Sequence, residues 1–492
     1  MNNPAKLELA VVAAALSLGI LGDALLRSFP WGVNFALWAG ALVAAILLLG
    51  RSRRAVLAEG GYWLLLPILL FPLAFLWHDS LALRALNLLA LLTALSLLML
   101  RAQGGHLRAS SLVGYALGSL IAGVNTAFGM FPLLFGNPEW KKSLGGESRR
   151  GAAVLRGAAF SLLPLLIFGA LLMAADAVFQ NVVHRVLHFD FTHLAVIAFI
   201  ALCAGGYLRG LLLGKELNLT TEKRLPSLSL GTIEMGLMLG LLDLLFLAFV
   251  VVQIRYFFGG SALVQATTGL TYADYARRGF FELVAVVTLV LPFLLLTHWL
   301  LPRGDAQAQR WFRLLAGGQM ILLFVIMVSA FQRMRLYQAE YGLSEQRLYP
   351  TAFMGWLAVV FVWFGLTVLR GRRERFAFGT MVAGFLLIAV LHALGPDALI
   401  ARTNLARAQA GRTFDARYAS SLSADAVPQL LASLSVLNPQ DRCTVAARLL
   451  ERWSPPENPD WRAWSYSRSR AWQSLRDHAS ALRAAAGSEP KR

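Results

Sequence analysis

Long apolar runs recur down this chain, and a run of about 20 such residues has one common destination, the hydrocarbon core of a bilayer. Twelve stretches qualify: Leu7–Leu26, Val33–Gly50, Tyr62–His78, Leu81–Leu100, Leu112–Gly136, Ala152–Ala174, Leu194–Leu213, Thr232–Ile254, Phe281–Leu301, Trp311–Ala330, Ala352–Leu369 and Phe376–Leu394. With 57% hydrophobic and 15% charged residues and a mean hydropathy of +0.60, too little polar surface exists to cover a water-soluble globule. The expected fold is all-α: a polytopic transmembrane helix bundle of about eleven or twelve spans with a small helical C-terminal soluble module. The expected division is 1–394 for the membrane domain, 395–486 for the soluble tail and 487–492 for a disordered end.

Basic residues give the orientation. A net charge of +18 would suggest nucleic acid in a soluble chain. Here, however, Lys and Arg cluster between apolar runs, as at Arg51/Arg53/Arg54, Lys141/Lys142, Arg149/Arg150 and Arg370/Arg372/Arg373/Arg375. Such clusters mark cytoplasmic loops, and no nucleic-acid role is expected. If all twelve runs cross, Lys and Arg divide almost evenly between the two faces. They gather on one face if Leu112–Gly136 dips in and returns. That run carries Gly114, Gly118, Gly123, Gly129, Asn125 and Pro132, which suits a broken or re-entrant passage. A plain packing helix is the other reading, since Gly114 and Gly118 form a GxxxG pair.

The re-entrant reading puts the N-terminus in the cytoplasm and the tail in the periplasm, the host membrane being a bacterial inner membrane. It also gathers Asp23, His78, Asp79, Asp176, Glu282, His392, His184, His188, Asp190 and His193 at the outer face. Lys6 alone precedes the first run and no cleavage pattern follows, so that run reads as a span and not a removable signal. Cys203 lies in an apolar run and Cys443 in the tail. No disulfide between them is expected, and no cysteine pattern suits a metal.

Among the intramembrane polar candidates Asp243, Asp23, Asp176 and Glu282, the sharpest is Asp243, in the middle of Thr232–Ile254. A charged Asp at a helix centre costs about 3 kcal/mol on insertion scales, so it should face the bundle interior, be protonated or find a partner. It reads either as a proton or cation relay or substrate anchor, or as a buried helix-to-helix hydrogen bond with Gln319 or Asn87. Asp23, at the end of the first span, reads as a catalytic base of a lipid-linked glycosyl transferase or as a helix-end anchor. His184 and His188 share a helix face and, with His193 and Asp190, form the most metal-like group, but no HExxH occurs. Solvated histidines in an interfacial loop are the alternative. No phosphate-binding loop, serine elbow or dinucleotide fingerprint is present, and no cofactor is expected.

In the tail, Asp425-Ala-Val-Pro428 reads as a helix start followed by Leu430, Leu431 and Leu434 on one face. Trp461, Trp464, Trp472, Leu475 and Leu482 read as the stripe of one amphipathic helix, which Arg468 interrupts. The stripe suits either a lipid interface or packing on the Leu430 helix.

Five motifs then stand together: Tyr341-Gly-Leu-Ser-Glu-Gln-Arg-Leu-Tyr349, Ala352-Phe-Met-Gly-Trp356, Pro396-Asp397-Ala-Leu-Ile-Ala-Arg402-Thr-Asn404, Asp415-Ala-Arg-Tyr418 and Leu422-Ser-Ala-Asp425-Ala-Val-Pro428. In these the chain resembles the bacterial multi-pass membrane family known as domain of unknown function 4173. That resemblance implies a bacterial integral membrane protein and supplies no catalytic residues. Read physically, Glu345 and Arg347 with Tyr341 and Tyr349 fix a helix end at the interface. Arg402, Asn404, Asp415, Tyr418 and Asp425 are candidates for tying the tail to the mouth of the bundle.

The expected function is transport, lipid handling or signalling without covalent chemistry, with the bilayer as one partner and envelope or membrane proteins reached through the tail. The alternatives are an integral-membrane transferase on a lipid-linked substrate and an assembly scaffold.

Overall fold

The computed structural model describes residues 4–51, 61–105, 112–135, 168–169, 171–173, 175–176, 191–214, 231–268, 279–302 and 305–487. Among them the chain is all helix and turn, and ten helices are long and apolar enough to cross a membrane. The expected span Ala152–Ala174 falls almost wholly outside the described residues, as do His184, His188, Asp190 and the end at 488–492. The chain forms two compact units.

Unit 1 holds residues 1–107, 112–220 and 456–469. Its helices are α1 (Pro4–Leu26), α2 (Val33–Gly50), α3 (Leu65–Leu73), α4 (Leu81–Ala102), α5 (Leu112–Phe128), α6 (Phe131–Phe135) and α7 (Phe191–Leu213). Helix α3 lies between two 3₁₀ turns, Tyr62–Leu64 and Ala74–Leu76. The expected span Tyr62–His78 is thus a shorter continuous apolar helical run, Tyr62–Leu76, tightened to 3₁₀ at both ends, with Pro72 removing a backbone donor inside it.

Helices α1 and α7 pack antiparallel, with Gly19 against Ile197 and Ala201 and Ala15 against Gly205. Helix α5 ends where Gly129 meets α7. A Cβ on Gly206 would lie 2.4 Å from the Asn125 carbonyl oxygen and 2.6 Å from that of Thr126, so only glycine permits this approach. Gly118 of the GxxxG pair lies against Leu100 of α4. Two turn residues, Gly129 and Met130, separate α5 from α6, and Gly114–Leu134 taken together is long and apolar enough to cross a membrane.

Unit 2 holds residues 108–111, 221–455 and 470–492. Its apolar helices are α8 (Thr232–Thr268), α9 (Phe280–Leu300), α10 (Ala306–Tyr341), α11 (Glu345–Thr367) and α12 (Phe376–Leu394). Helix α10 is much longer than the expected Trp311–Ala330, because Asp305 caps its start by accepting from Gln307 N and Ala308 N, and Gly342 closes its end. One core joins α8 to α11 through Met235, Leu239, Val287, Leu294, Phe312, Leu323, Phe361 and Phe364. The outward faces stay apolar, as at Leu237, Leu241, Leu244, Leu289, Leu314 and Ile321, which suits lipid and not water.

A second core belongs to α13 (Pro396–Gln409), α14 (Ala416–Ser421), α15 (Val427–Ala432), α16 (Pro439–Trp453), α17 (Tyr466–Asp477) and α18 (Ala479–Gly487). It is built on Ile400, Leu405, Leu430, Leu431, Val445, Leu449, Leu475 and Leu482. The single amphipathic helix expected over Trp461–Leu482 is a 3₁₀ turn, Trp461–Ala463, followed by α17 and α18. Its stripe divides: Leu475 and Leu482 enter this core, while exposed Trp461 and Trp464 belong to unit 1.

Candidate functional site

Helices α8 and α10 run parallel and meet at three polar rungs. Thr232 Oγ1 donates to Asp305 Oδ2 at one end (3.3 Å), and Ser329 Oγ donates to Gln253 Oε1 at the other (2.8 Å). Between them, Asp243 faces Gly318, where a Cβ would stand 3.7 Å from Asp243 Oδ2. Eleven residues from Thr232, at 1.5 Å each, put Asp243 about 16 Å along the helix, near half of a ~30 Å hydrocarbon core. The next residue of α10 is Gln319, 0% exposed. Asp243 Oδ1 and both amide atoms of Gln319 are buried without a hydrogen-bond partner among the described residues.

The hydrogen bond expected between Asp243 and Gln319 or Asn87 is not formed; Asn87 is buried on α4, in unit 1. Leaving one buried polar group unmade costs about 1–3 kcal/mol. Two such residues, one on each helix, leave a carboxylate oxygen, an amide oxygen and an amide nitrogen unused.

In unit 2 a cavity of about 310 Å³ lies where α10 ends and α11 begins. The turn depends on Gly342, whose φ of +78° disfavours any side chain and whose Cβ would lie 2.5 Å from Asn404 Oδ1. Asn404 Oδ1 accepts from Leu343 N and its Nδ2 donates to Leu343 O, both at 2.8 Å. Tyr418 Oη accepts from Glu345 N (2.8 Å), and burial pushes the phenol up to about 12. Asp415 caps α14 through Tyr418 N, and Asp425 accepts from Ser423 Oγ. Arg402 is exposed. Arg407, one turn beyond Asn404 and not singled out in the sequence, donates to the carbonyls of Ala339 and Glu340. Arg347 lies over the Tyr337 ring at 4.2 Å and donates to Gly342 O.

Unit 1 brings Asp23 to His193, Oδ2 to Nδ1 at 2.6 Å, with Arg27 3.6 Å from the other oxygen. Two expected candidates 170 residues apart thereby meet. Among the described residues no three metal-binding side chains gather. Asp176 and Glu282 are exposed; Glu282 sits in the first turn of α9, where the helix dipole favours it.

The sequence reading missed a buried cluster in the same unit. Arg84 and Arg468 both reach Asp79, the latter at 3.2 Å, and donate to Trp31 O at 3.1 Å each. Burial lowers the Arg468 pKa, opposed by the Asp79 charge. The signal was the interruption that Arg468 makes in its stripe.

Ten helices among the described residues that are long and apolar enough to cross a membrane, with apolar outward faces, define an integral membrane protein of the all-α, multi-pass class, its spans in contact with lipid. The chain belongs to the family of domain of unknown function DUF4153, which matches residues 65–433. That number replaces the 4173 that the motifs suggested; a family without assigned activity is common to both. No curated protein and no solved structure matches the chain.

Proposed function

We propose that this protein is a non-enzymatic membrane carrier that moves a proton or small cation along the seam between α8 and α10. The observation that supports it is the pair of neighbouring unpartnered groups, the buried Oδ1 of half-buried Asp243 and the buried amide of Gln319. A carboxylate there is stable only with a proton or a cation beside it, and an amide with both ends unused can hydrogen-bond the protonated carboxyl or offer its oxygen to the cation. In this reading the host is a bacterial inner membrane, the N-terminus is cytoplasmic, and residues 395–486 form a periplasmic module that ties to the bundle through Asn404, Asp415, Tyr418 and Asp425 and engages envelope or membrane proteins.

The Asp23–His193 pair supports a second reading, a transferase acting on a lipid-linked substrate, because a carboxylate-oriented imidazole can accept a proton. One reconstitution separates the two. Vesicles carrying the protein should dissipate an imposed pH or cation gradient, and Asp243→Asn should slow this about tenfold or more, as loss of an intramembrane carboxylate does, while Asp23→Asn leaves it intact. Equal flux in protein-free vesicles, or full flux with Asp243→Asn, sinks the carrier reading.

A further inference from the structure

The opposite end of unit 2 carries a basic cavity. Four apolar helices reach the membrane surface together here: α9 ends at Leu300, α10 starts at Ala306, α11 ends at Thr367, and a 3₁₀ turn, Arg373–Arg375, leads into α12. Between them lies a cavity of about 290 Å³. Its floor is apolar and sealed, made by Leu301, Phe312 and Val368, each at most 4% exposed. Its walls carry His298, Arg313 and Arg373 against one carboxylate, Glu374. The His298 ring packs on Phe312 with centroids 5.1 Å apart, so one base is held over the floor. Arg370, Arg372 and Arg375, exposed neighbours in the sequence, are not part of the lining.

Each feature narrows the occupant. The excess of bases calls for an anion, and guanidinium groups match the oxygens of a phosphate in pairs. The position at the helix ends is the headgroup level of a bilayer, where basic pockets between spans take acidic headgroups. The apolar floor favours a ligand with carbon on one side, such as glycerol phosphate, over a bare ion. The volume admits a headgroup and leaves acyl chains outside among the exposed leucines of the spans.

We propose that this cavity binds a phosphate ester, the glycerophosphate headgroup of an acidic phospholipid, through Arg313 and Arg373. The site is separate from the Asp243 seam and stands whether or not that seam carries ions.

The test uses the full chain purified in detergent, with thermal stability and lipid retention by native mass spectrometry as readouts. The probes are phosphatidylglycerol, phosphatidylcholine, glycerol 1-phosphate and inorganic phosphate. Phosphatidylglycerol should be retained and protect the fold where phosphatidylcholine does not. Arg313→Gln with Arg373→Gln should weaken that retention about tenfold or more, the worth of lost charge-assisted hydrogen bonds. Arg310→Gln with Arg370→Gln, equal in charge but outside the lining, should not.

Should the first double variant fail to fold, each single substitution is read by the same assay and should lose part of the retention. Equal protection by glycerol 1-phosphate supports the phosphate site and assigns it to a soluble ester. No protection by any phosphate compound, or equal loss in the two double variants, overturns the proposal.

Discussion

Asp79 serves two guanidinium groups at once, and its surroundings explain how unit 1 tolerates the surplus charge. Arg468 is 4% exposed and donates to the carbonyls of Pro30 and Trp31 as well as to Ser465 Oγ, while Arg84 shares Trp31 O. Carbonyl oxygens thus replace the water that two buried cations lose. Removing the carboxylate would leave both cations uncompensated. Asp79→Asn is expected to destabilise unit 1 by about 3–5 kcal/mol, as for other broken buried pairs, read as a lowered melting temperature in detergent. An unchanged melting point would show that the carbonyls alone suffice. The sequence exposed only part of this. Arg468 stood out by breaking an apolar stripe, but nothing in its spacing named Asp79, several hundred residues away. Asp243 was legible for the opposite reason: its signal, a carboxylate inside an apolar run, is entirely local.

At the scale of helices, glycine placement decides which pairs approach closely. The GxxxG pair Gly114 and Gly118 was visible, yet α5 approaches α7 closely through Asn125 and Thr126, which lie against Gly206 and, for Asn125, Gly210. A GxxxG spacing shows which face can lie close and leaves the partner open. Because the atoms nearest a Cβ on Gly206 are backbone oxygens, no rotamer change can relieve the crowding. Gly206→Ala should cost about 1–3 kcal/mol, the usual range for overpacking, by forcing α5 off α7. Gly123→Ala on α5, with open space around the added carbon, is the matched control. Equal melting temperatures for both variants would remove the close approach from the account. The stripe from Trp461 to Leu482 failed as one helix for a related reason: spacing records which residues seek cover, and only Leu475 and Leu482 find it in the tail core while Trp461 and Trp464 stay exposed in unit 1.

For the whole molecule, chain order and spatial grouping part company. Residues 456–469 belong to unit 1 although the chain on either side belongs to unit 2. Within unit 1 that segment is held by Val33 N donating to Trp464 O (3.0 Å), Arg462 donating to Ala24 O (2.6 Å) and Ser28 donating to Asp460 (2.7 Å). Hydrogen bonds from Arg462 and Ser28 hold the Asp460 carboxyl well below its ordinary range. A lowered native pKa stabilises the attachment fully above the unfolded value of about 3.9, and the contribution is lost as pH falls from there through the native value. Hydrogen-exchange protection of 456–469 should therefore hold at neutral pH and fade below about pH 4, and Asp460→Asn should flatten the profile. Protection that persists into acid, or an identical profile in the variant, would count against this clamp.

The sequence by itself determined the helical, many-span class, the intramembrane carboxylate and the presence of a helical tail, because hydrophobic length and the cost of a buried charge are properties of a local stretch. Tertiary structure alone decided that Asp243 shares its seam with an orphaned Gln319, that Asp23 meets His193, that two arginines converge on Asp79 and that a tail segment joins the first unit. Those pairings depend on which faces of distant helices come together, and the spacing of residues along one helix carries no record of its neighbour.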